Sequence, residues 1–213
     1  MQREWDERAR ENARFYIVDS QENWSEDEFY RHGQQTVAQE ILTDMYNVCQ
    51  GKEPKQMKVL EIGCGAGRVT RALADLFGEV HAVDVSGEMV RLARAACADK
   101  PNAFFYQNNG MDLEVVGEGV FDFAFSMCCF HHIPSREVIE TYVREVGRLL
   151  RPGALFKFWV MGDPRAKSTP DETWVGVPFS DAEAVAMADR CGFEARYRHG
   201  AGEQYFILWF FKK

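Results

Sequence analysis

From Lys58 onward, short apolar runs alternate with amphipathic stretches, and no other feature restricts the fold of this chain as strongly. Parallel neighbouring strands need a long crossover, usually a helix, so the alternation predicts an α/β domain: a doubly wound, Rossmann-like sheet with helices on its faces. Strands are expected at 58–62, 80–84, 103–107, 121–127 and 154–160. Between them, Val69, Leu73 and Leu76 share one helical face, and Met89, Ala93 and Cys97 share another behind a Ser86 cap. Ser135 caps a third helix carrying Val138, Tyr142, Val146 and Leu149, after which Arg151, Pro152 and Gly153 read as a turn.

The C-terminal part departs from simple alternation. A polar loop at 162–173 leads to Ser180-Asp-Ala-Glu183, the spacing of a capping box, for a helix that Gly192 would end. Strands at 193–197 and 204–211 then follow one another around Gly200 and Gly202. Without a helix between them they must be antiparallel. The expected sheet has seven strands, six parallel and one reversed. Tyr205, Phe206, Leu208, Trp209, Phe210 and Phe211 form a nearly unbroken apolar run, which predicts a strand buried on both faces.

Residues 1–50 read as an N-terminal helical extension and residues 51–213 as the main domain. Ser25-Glu-Asp-Glu28 has capping-box spacing, and Val37, Ile41 and Met45 lie at helical intervals. Trp5, Phe15, Tyr16, Trp24, Phe29 and Tyr30 either pack this extension against the core or make it a lid over a site. The net charge of -8 argues against a broad grip on nucleic acid, which needs a basic stripe. The charged start of the chain has no export-signal pattern, and no apolar run approaches the ~18 residues of a membrane span, so a cytoplasmic protein is expected. Cys49, Cys64, Cys97, Cys128, Cys129 and Cys191 have neither disulfide-framework nor zinc-site spacing, and no metal is expected.

Leu60-Glu-Ile-Gly-Cys-Gly-Ala-Gly67 closes the first strand and opens a helix, a place where glycine lets the backbone turn tightly and approach a ligand. A dinucleotide loop has the spacing G-x-G-x-x-G. Here it is G-x-G-x-G, with Arg68 in the final position, which disfavours a nicotinamide-dependent reductase. Asp84 ends the second strand 21 residues after Gly63, where a carboxylate can accept hydrogen bonds from both hydroxyls of a ribose.

Residues 59–70, Val83-Asp-Val-Ser-Gly-Glu-Met89, Phe121-Asp-Phe-Ala-Phe-Ser126 and Leu149-Leu-Arg-Pro-Gly153, in that order and spacing, resemble the motifs of class I S-adenosylmethionine-dependent methyltransferases. The resemblance covers roughly residues 55–160 and is nearest to small-molecule enzymes with a ubiquinone/menaquinone-methyltransferase-like core. It implies S-adenosylmethionine as cofactor and S-adenosylhomocysteine as product. At matched positions it implies a turn of Gly63, Cys64, Gly65 and Gly67 beside the methionine moiety and Glu61 orienting that turn or the ammonium. It further implies Asp84 on the ribose, Val85 and Met89 against adenine, and Ser126 and Met127 beneath the sulfonium. Asn109, Gly110 and Met111 fall where the family often carries an aspartate for the adenine amino group. An asparagine oxygen can accept the same bond.

His131 and His132 follow the fourth strand, and an imidazole titrating near neutrality is a candidate general base. Adjacent side chains on a turn are expected to diverge, so one of the two would serve. Arg31 and His32 are candidates to face the cofactor carboxylate or a substrate, Arg31 suiting a carboxylate better through its always-charged planar fork, and Trp174 and Phe179 are candidates for the wall of an acceptor pocket. A small-molecule acceptor is the expected partner. A non-catalytic S-adenosylmethionine-binding module and a methyltransferase of protein or RNA stay open as alternatives, as does the choice between monomer and homodimer.

Overall fold

The structure is a computed structural model that describes residues 1–169 and 172–213. Pro170 and Asp171, inside the expected polar loop, lie outside the described residues. Seven strands form one mixed sheet, and the chain divides into two compact units, Gln2–Asn109 and Gly110–Lys213.

In the first unit, strand β1 (Lys58–Ile62), β2 (Glu79–Asp84) and β3 (Ala103–Gln107) are parallel in the order β3-β2-β1. Val59, Leu60, Val80 and Ala82 are wholly buried, as strands covered on both faces require, whereas Phe104 on β3 is exposed. Helix α4 (Arg68–Leu76) buries Val69 and Leu73, and α5 (Gly87–Ala96) buries Met89 and Ala93 behind its Ser86 cap, whose side chain accepts from the Met89 N–H. The expected helical extension is helical: α1 (Gln2–Ile17), α2 (Glu26–Glu40) and the short α3 (Met45–Cys49). The capping box at Ser25 and Glu28 is formed.

Helix α1 is broken at Asn12, whose backbone is extended (φ -161°, ψ 81°). Its side-chain oxygen accepts from the Phe15 N–H at 3.2 Å, so Asn12 caps a second helical segment within α1. Helices α2 and α4 meet at Gly33, where an added Cβ would stand 2.0 Å from the Arg68 carbonyl oxygen. Beside this contact the buried Arg68 guanidinium donates to Thr36 Oγ1 at 2.8 Å and to His32 Nδ1 at 2.9 Å. A guanidinium only donates, so Nδ1 of His32 carries the lone pair, and burial and the adjacent cation push that imidazole below its ordinary value.

In the second unit the order is β4-β5-β7-β6, built from β4 (Phe121–Ser126), β5 (Leu150–Met161), β6 (Phe193–His199) and β7 (Tyr205–Lys212). Strands β4 and β5 are parallel, and β7 runs against both β5 and β6, so the reversed strand is where the missing crossover required it. Helix α6 (Arg136–Leu149) follows the Ser135 cap and α7 (Asp181–Arg190) follows the capping box of Ser180 and Glu183. A stack of Phe156 on Phe158, with ring centroids 4.2 Å apart, meets Phe130 and Phe210 edge-on in the core.

Two expectations are corrected. Arg151, Pro152 and Gly153 are not a turn before β5 but part of it: the register jumps from Phe121 opposite Leu150 to Phe123 opposite Leu155, a bulge that Gly153 (φ 80°) and a proline can occupy. Strand β7 is not buried on both faces. Phe206, Leu208 and Phe210 are buried on one face, while on the other Tyr205 is exposed, Ile207 and Trp209 are half-buried and Phe211 is buried. On that face Trp209 covers a cation: buried Lys157 lies opposite it, its ammonium 4.7 Å from the ring.

Candidate functional site

The turn after β1 has the backbone that its glycines foretell: Gly63, Gly65 and Gly67 all have positive φ, at 78°, 52° and 82°. The N–H groups of Gly63 and Cys64 both donate to the Val83 carbonyl, at 2.8 and 3.1 Å, pinning the turn to the end of β2. Asp84 completes the arrangement. Its Oδ2 accepts from the Gly65 N–H at 2.8 Å and its Oδ1 from the Ser86 N–H at 2.9 Å. The Val85 N–H also bonds this carboxylate, and a carboxylate has about four lone-pair sites, so acceptor capacity remains after these bonds. Burial pushes the carboxyl up to about 6 against the opposing pull of those backbone donors. A ligand offering two hydroxyls supplies the hydrogen bonds that a desolvated carboxylate lacks. The site therefore fits a ribose.

Helix α1 crosses this region. Asp6 Oδ1 accepts from Ser86 Oγ at 2.6 Å and from the Glu88 N–H at 3.1 Å, placing a carboxylate at the N-terminus of α5, where the helix dipole favours it. Ala9 and Ala13 pack with Ala66 and Met89, and Ile17 reaches the glycine turn, its Cδ1 standing 2.8 Å from where a Cβ on Gly65 would be. Trp5, Trp24 and Tyr30 pack against the same cluster.

In the second unit, Ser126 is fully buried at the end of β4, and Met127, Cys128 and Cys129 follow it half-buried, with Cys128 at φ 53°. His131 and His132 lie in a single turn of 3-10 helix. Their rings do not diverge as expected: the centroids are 4.0 Å apart. His131 is 4% exposed, and burial together with its neighbour holds it well below the ordinary histidine range. His132 is half-buried, and its Nδ1 lies 2.6 Å from the Trp174 carbonyl oxygen.

Residues 59–153 match the family model described as a methyltransferase domain. That match takes in just under half of the chain. The ubiquinone biosynthesis O-methyltransferase of Xanthomonas axonopodis pv. citri (strain 306) is 31% identical over 102 residues, covering 47% of this chain and 41% of that protein, so the match takes in less than half of that curated relative. Magnesium protoporphyrin IX methyltransferase from Synechocystis PCC 6803, solved with bound SAH, aligns over 100% of this chain and 98% of its own with a TM-score of 0.68 at 17% identity. A SAM-dependent methyltransferase from Aquifex aeolicus aligns over 90% of this chain and 100% of its own, with a TM-score of 0.61 at 18% identity. These likenesses establish the fold.

The other candidate residues are placed as follows. Cys64 turns its thiol into the core against Ala82 and Ala93, where burial raises it well above its ordinary value, so only its backbone belongs to the turn. Met89 is 1% exposed within the cluster shared with α1, and Val85 is half-buried. Asn109 is exposed, Gly110 is buried with φ 77°, and Met111 is exposed. Asn108, which no sequence motif marks, is buried and its N–H donates to the Asp84 carbonyl at 3.0 Å. Asp6 was missed too, since nothing in a helical extension marks one acid among several. Of the proposed pocket-lining rings, Trp174 is half-buried but Phe179 is 1% exposed, with the Arg136 guanidinium 4.5 Å over it. Arg31 is exposed on α2. Among the described residues, no three His, Cys, Asp or Glu side chains are grouped to hold a metal ion, and no helix is long and apolar enough to cross a membrane.

Glu61 ties the turn down from beneath. Thr70 Oγ1 donates to its Oε2 at 2.5 Å, linking β1 to α4, and burial raises the carboxyl from 4.5 to about 7. The folded protein thus holds this proton more tightly than the unfolded chain. Its contribution is fully present below 4.5 and is lost as pH rises through 7, a fall of about 3 kcal/mol. Glu61→Gln keeps an acceptor for Thr70 and removes the titration. Urea denaturation at about pH 5 and pH 8 is expected to show a smaller loss of stability in the variant than in the wild type. Parallel losses in the two proteins would show that Glu61 does not titrate in this range.

Proposed function

We propose that this protein transfers the methyl group of S-adenosylmethionine to an O, N or C atom of a small-molecule acceptor. The observation that carries the proposal is the Asp84 carboxylate, held at the edge of the glycine turn by the N–H groups of Gly65 and Ser86 with acceptor capacity remaining. In this assignment Asp84 takes the ribose hydroxyls, while Gly63, Gly65 and Gly67 give the methionine moiety close approach to the backbone. Val85 and Met89 lie against adenine, and Glu61 steadies the turn through Thr70. Asn109, Gly110, Met111, Ser126 and Met127 are assigned to the same cofactor by their place in the family's motif order.

The donor supplies a methyl group already activated on a sulfonium, so the protein's own work is alignment, exclusion of water and management of the acceptor's proton. Residues 1–50 are proposed as the cover of the donor site, supported by Ile17 on the glycine turn and Asp6 on Ser86. A small acceptor is supported by the acidic charge of the chain and by relatives named for O-methylation in ubiquinone biosynthesis.

The test is incubation with methyl-labelled S-adenosylmethionine and, in separate reactions, a metabolite extract, a protein fraction and an RNA fraction. Label is expected in the small-molecule fraction. Label confined to protein or RNA overturns the choice of acceptor, and tight donor binding with label in none of them overturns catalysis.

A further inference from the structure

The loop 173–178 lies along the turn that carries the two histidines. Gly176 N–H donates to the His131 carbonyl at 2.7 Å, and Val177 N–H donates to the Ile133 carbonyl at 3.1 Å. A Cβ on Gly176 would stand 2.5 Å from the His131 carbonyl oxygen and 2.9 Å from that of Ile133, so only glycine allows this approach. The loop is fastened beyond that point: Phe179 N–H donates to the Met161 carbonyl at 2.8 Å, and Arg136 donates to the Pro178 carbonyl. These bonds bring the Trp174 carbonyl to within 2.6 Å of His132 Nδ1, with the indole 5.2 Å from the imidazole between ring centroids.

A carbonyl oxygen only accepts, so His132 Nδ1 carries the hydrogen and, in the neutral ring, Nε2 carries the lone pair. His81 shows the opposite assignment, its Nε2 lying 3.0 Å from the Glu79 carboxylate and its Nδ1 2.9 Å from the Tyr106 hydroxyl. The buried partner ring contrasts with His132: His131 Nδ1 has no hydrogen-bond partner among the described residues, and burial holds that ring well below the ordinary histidine range.

We infer that His132 is the general base of the reaction, acting through Nε2, and that Gly176 is a positioning residue which sets the Trp174 carbonyl on His132 Nδ1. The inference rests on the methyl-transfer reading. For an acceptor hydroxyl, the proton passes to Nε2 while the oxygen lone pair forms the bond to the methyl carbon. The carbon–sulfur bond breaks, and its electron pair stays on sulfur as the neutral thioether. The imidazolium, stabilised by the Trp174 carbonyl, then returns its proton to solvent. An imidazole suits a phenol-like or enol-like hydroxyl, near the ~10 of a tyrosine side chain, far better than an aliphatic alcohol.

The clamp is tested without substrate by long-range proton–nitrogen NMR of the full-length protein labelled with ¹⁵N-histidine, the His132 signals being assigned with His132→Gln. The expected spectrum has His132 protonated at Nδ1 and bare at Nε2, with Gly176→Ala losing that pattern. A hydrogen on Nε2 of His132 in the wild type overturns the inference. In the labelled-methyl assay, His132→Ala is expected to lower turnover by roughly 10²- to 10⁴-fold with donor affinity unchanged. Gly176→Ala should show a smaller loss and add nothing in the His132→Ala background. Wild-type turnover in His132→Ala, or full additivity of the two changes, refutes the assignment. If the wild type itself transfers no methyl group, the methyl-transfer reading fails and the base role with it; the NMR spectrum then tests the clamp alone.

Discussion

Asp84→Ala is expected to weaken S-adenosylmethionine binding by roughly ten- to 150-fold for each ribose hydrogen bond removed, because hydrogen bonds to a charged acceptor are worth about 1.5–3 kcal/mol. The loss has a second source, since the same carboxylate anchors the Gly65 N–H of the turn. Asp84→Asn separates the two: it keeps an acceptor for one backbone N–H, and its loss should be intermediate. In the wild type the carboxyl is poised at about 6. Ribose hydroxyls favour the ionised form, so affinity should be full above pH 6 and fall as the pH drops below it. Both variants should lack that fall. Calorimetric titration of folded Asp84→Ala with wild-type affinity would refute the ribose assignment.

Gly33→Ala is the change expected to cost most in stability. Alanine normally favours a helix interior over glycine by about 1 kcal/mol. Here the added carbon would stand 2.0 Å from the Arg68 carbonyl oxygen, a backbone atom that cannot rotate away. Helix α2 must therefore lift from α4, straining the bonds from Arg68 to Thr36 and His32. Overpacking of this kind costs about 1–3 kcal/mol and occasionally more, and each kcal/mol lowers Tm by roughly 2–4 °C in a protein of this size. A thermal melt is expected to drop by several degrees. A Tm equal to or above that of the wild type would mean that α2 and α4 do not pack as described.

What could be read from the residues divides along physical lines. Strand β1 at Lys58–Ile62 and strand β3 at Ala103–Gln107 were legible because short apolar runs between turn residues have few alternatives. The four serine caps were legible because capping is local chemistry. The start of β5 was misread because Pro152 and Gly153 serve a bulge as well as a turn. The outer face of β7 was misread because Trp209 covers Lys157, and a ring over a cation looks like core in a one-dimensional pattern.

The candidate site divides similarly. The glycine turn and Asp84 carry side-chain requirements at fixed spacing, so they stand out in the sequence. Asp6 and Asn108 act through contacts with Ser86 and with the Asp84 backbone, and neither has a spacing of its own. The carbonyl of Trp174 leaves no mark at all, because every residue has one; Gly176 marks the place only once its neighbours are known.

The most direct test of the central claim, that this chain takes its methyl donor at the glycine turn, is a crystal structure grown with S-adenosylhomocysteine. It is expected to show both ribose hydroxyls on the Asp84 carboxylate and the homocysteine moiety against the backbone of Gly63 and Gly65. A ribose bound away from Asp84, or no ligand at saturating concentration, would contradict it.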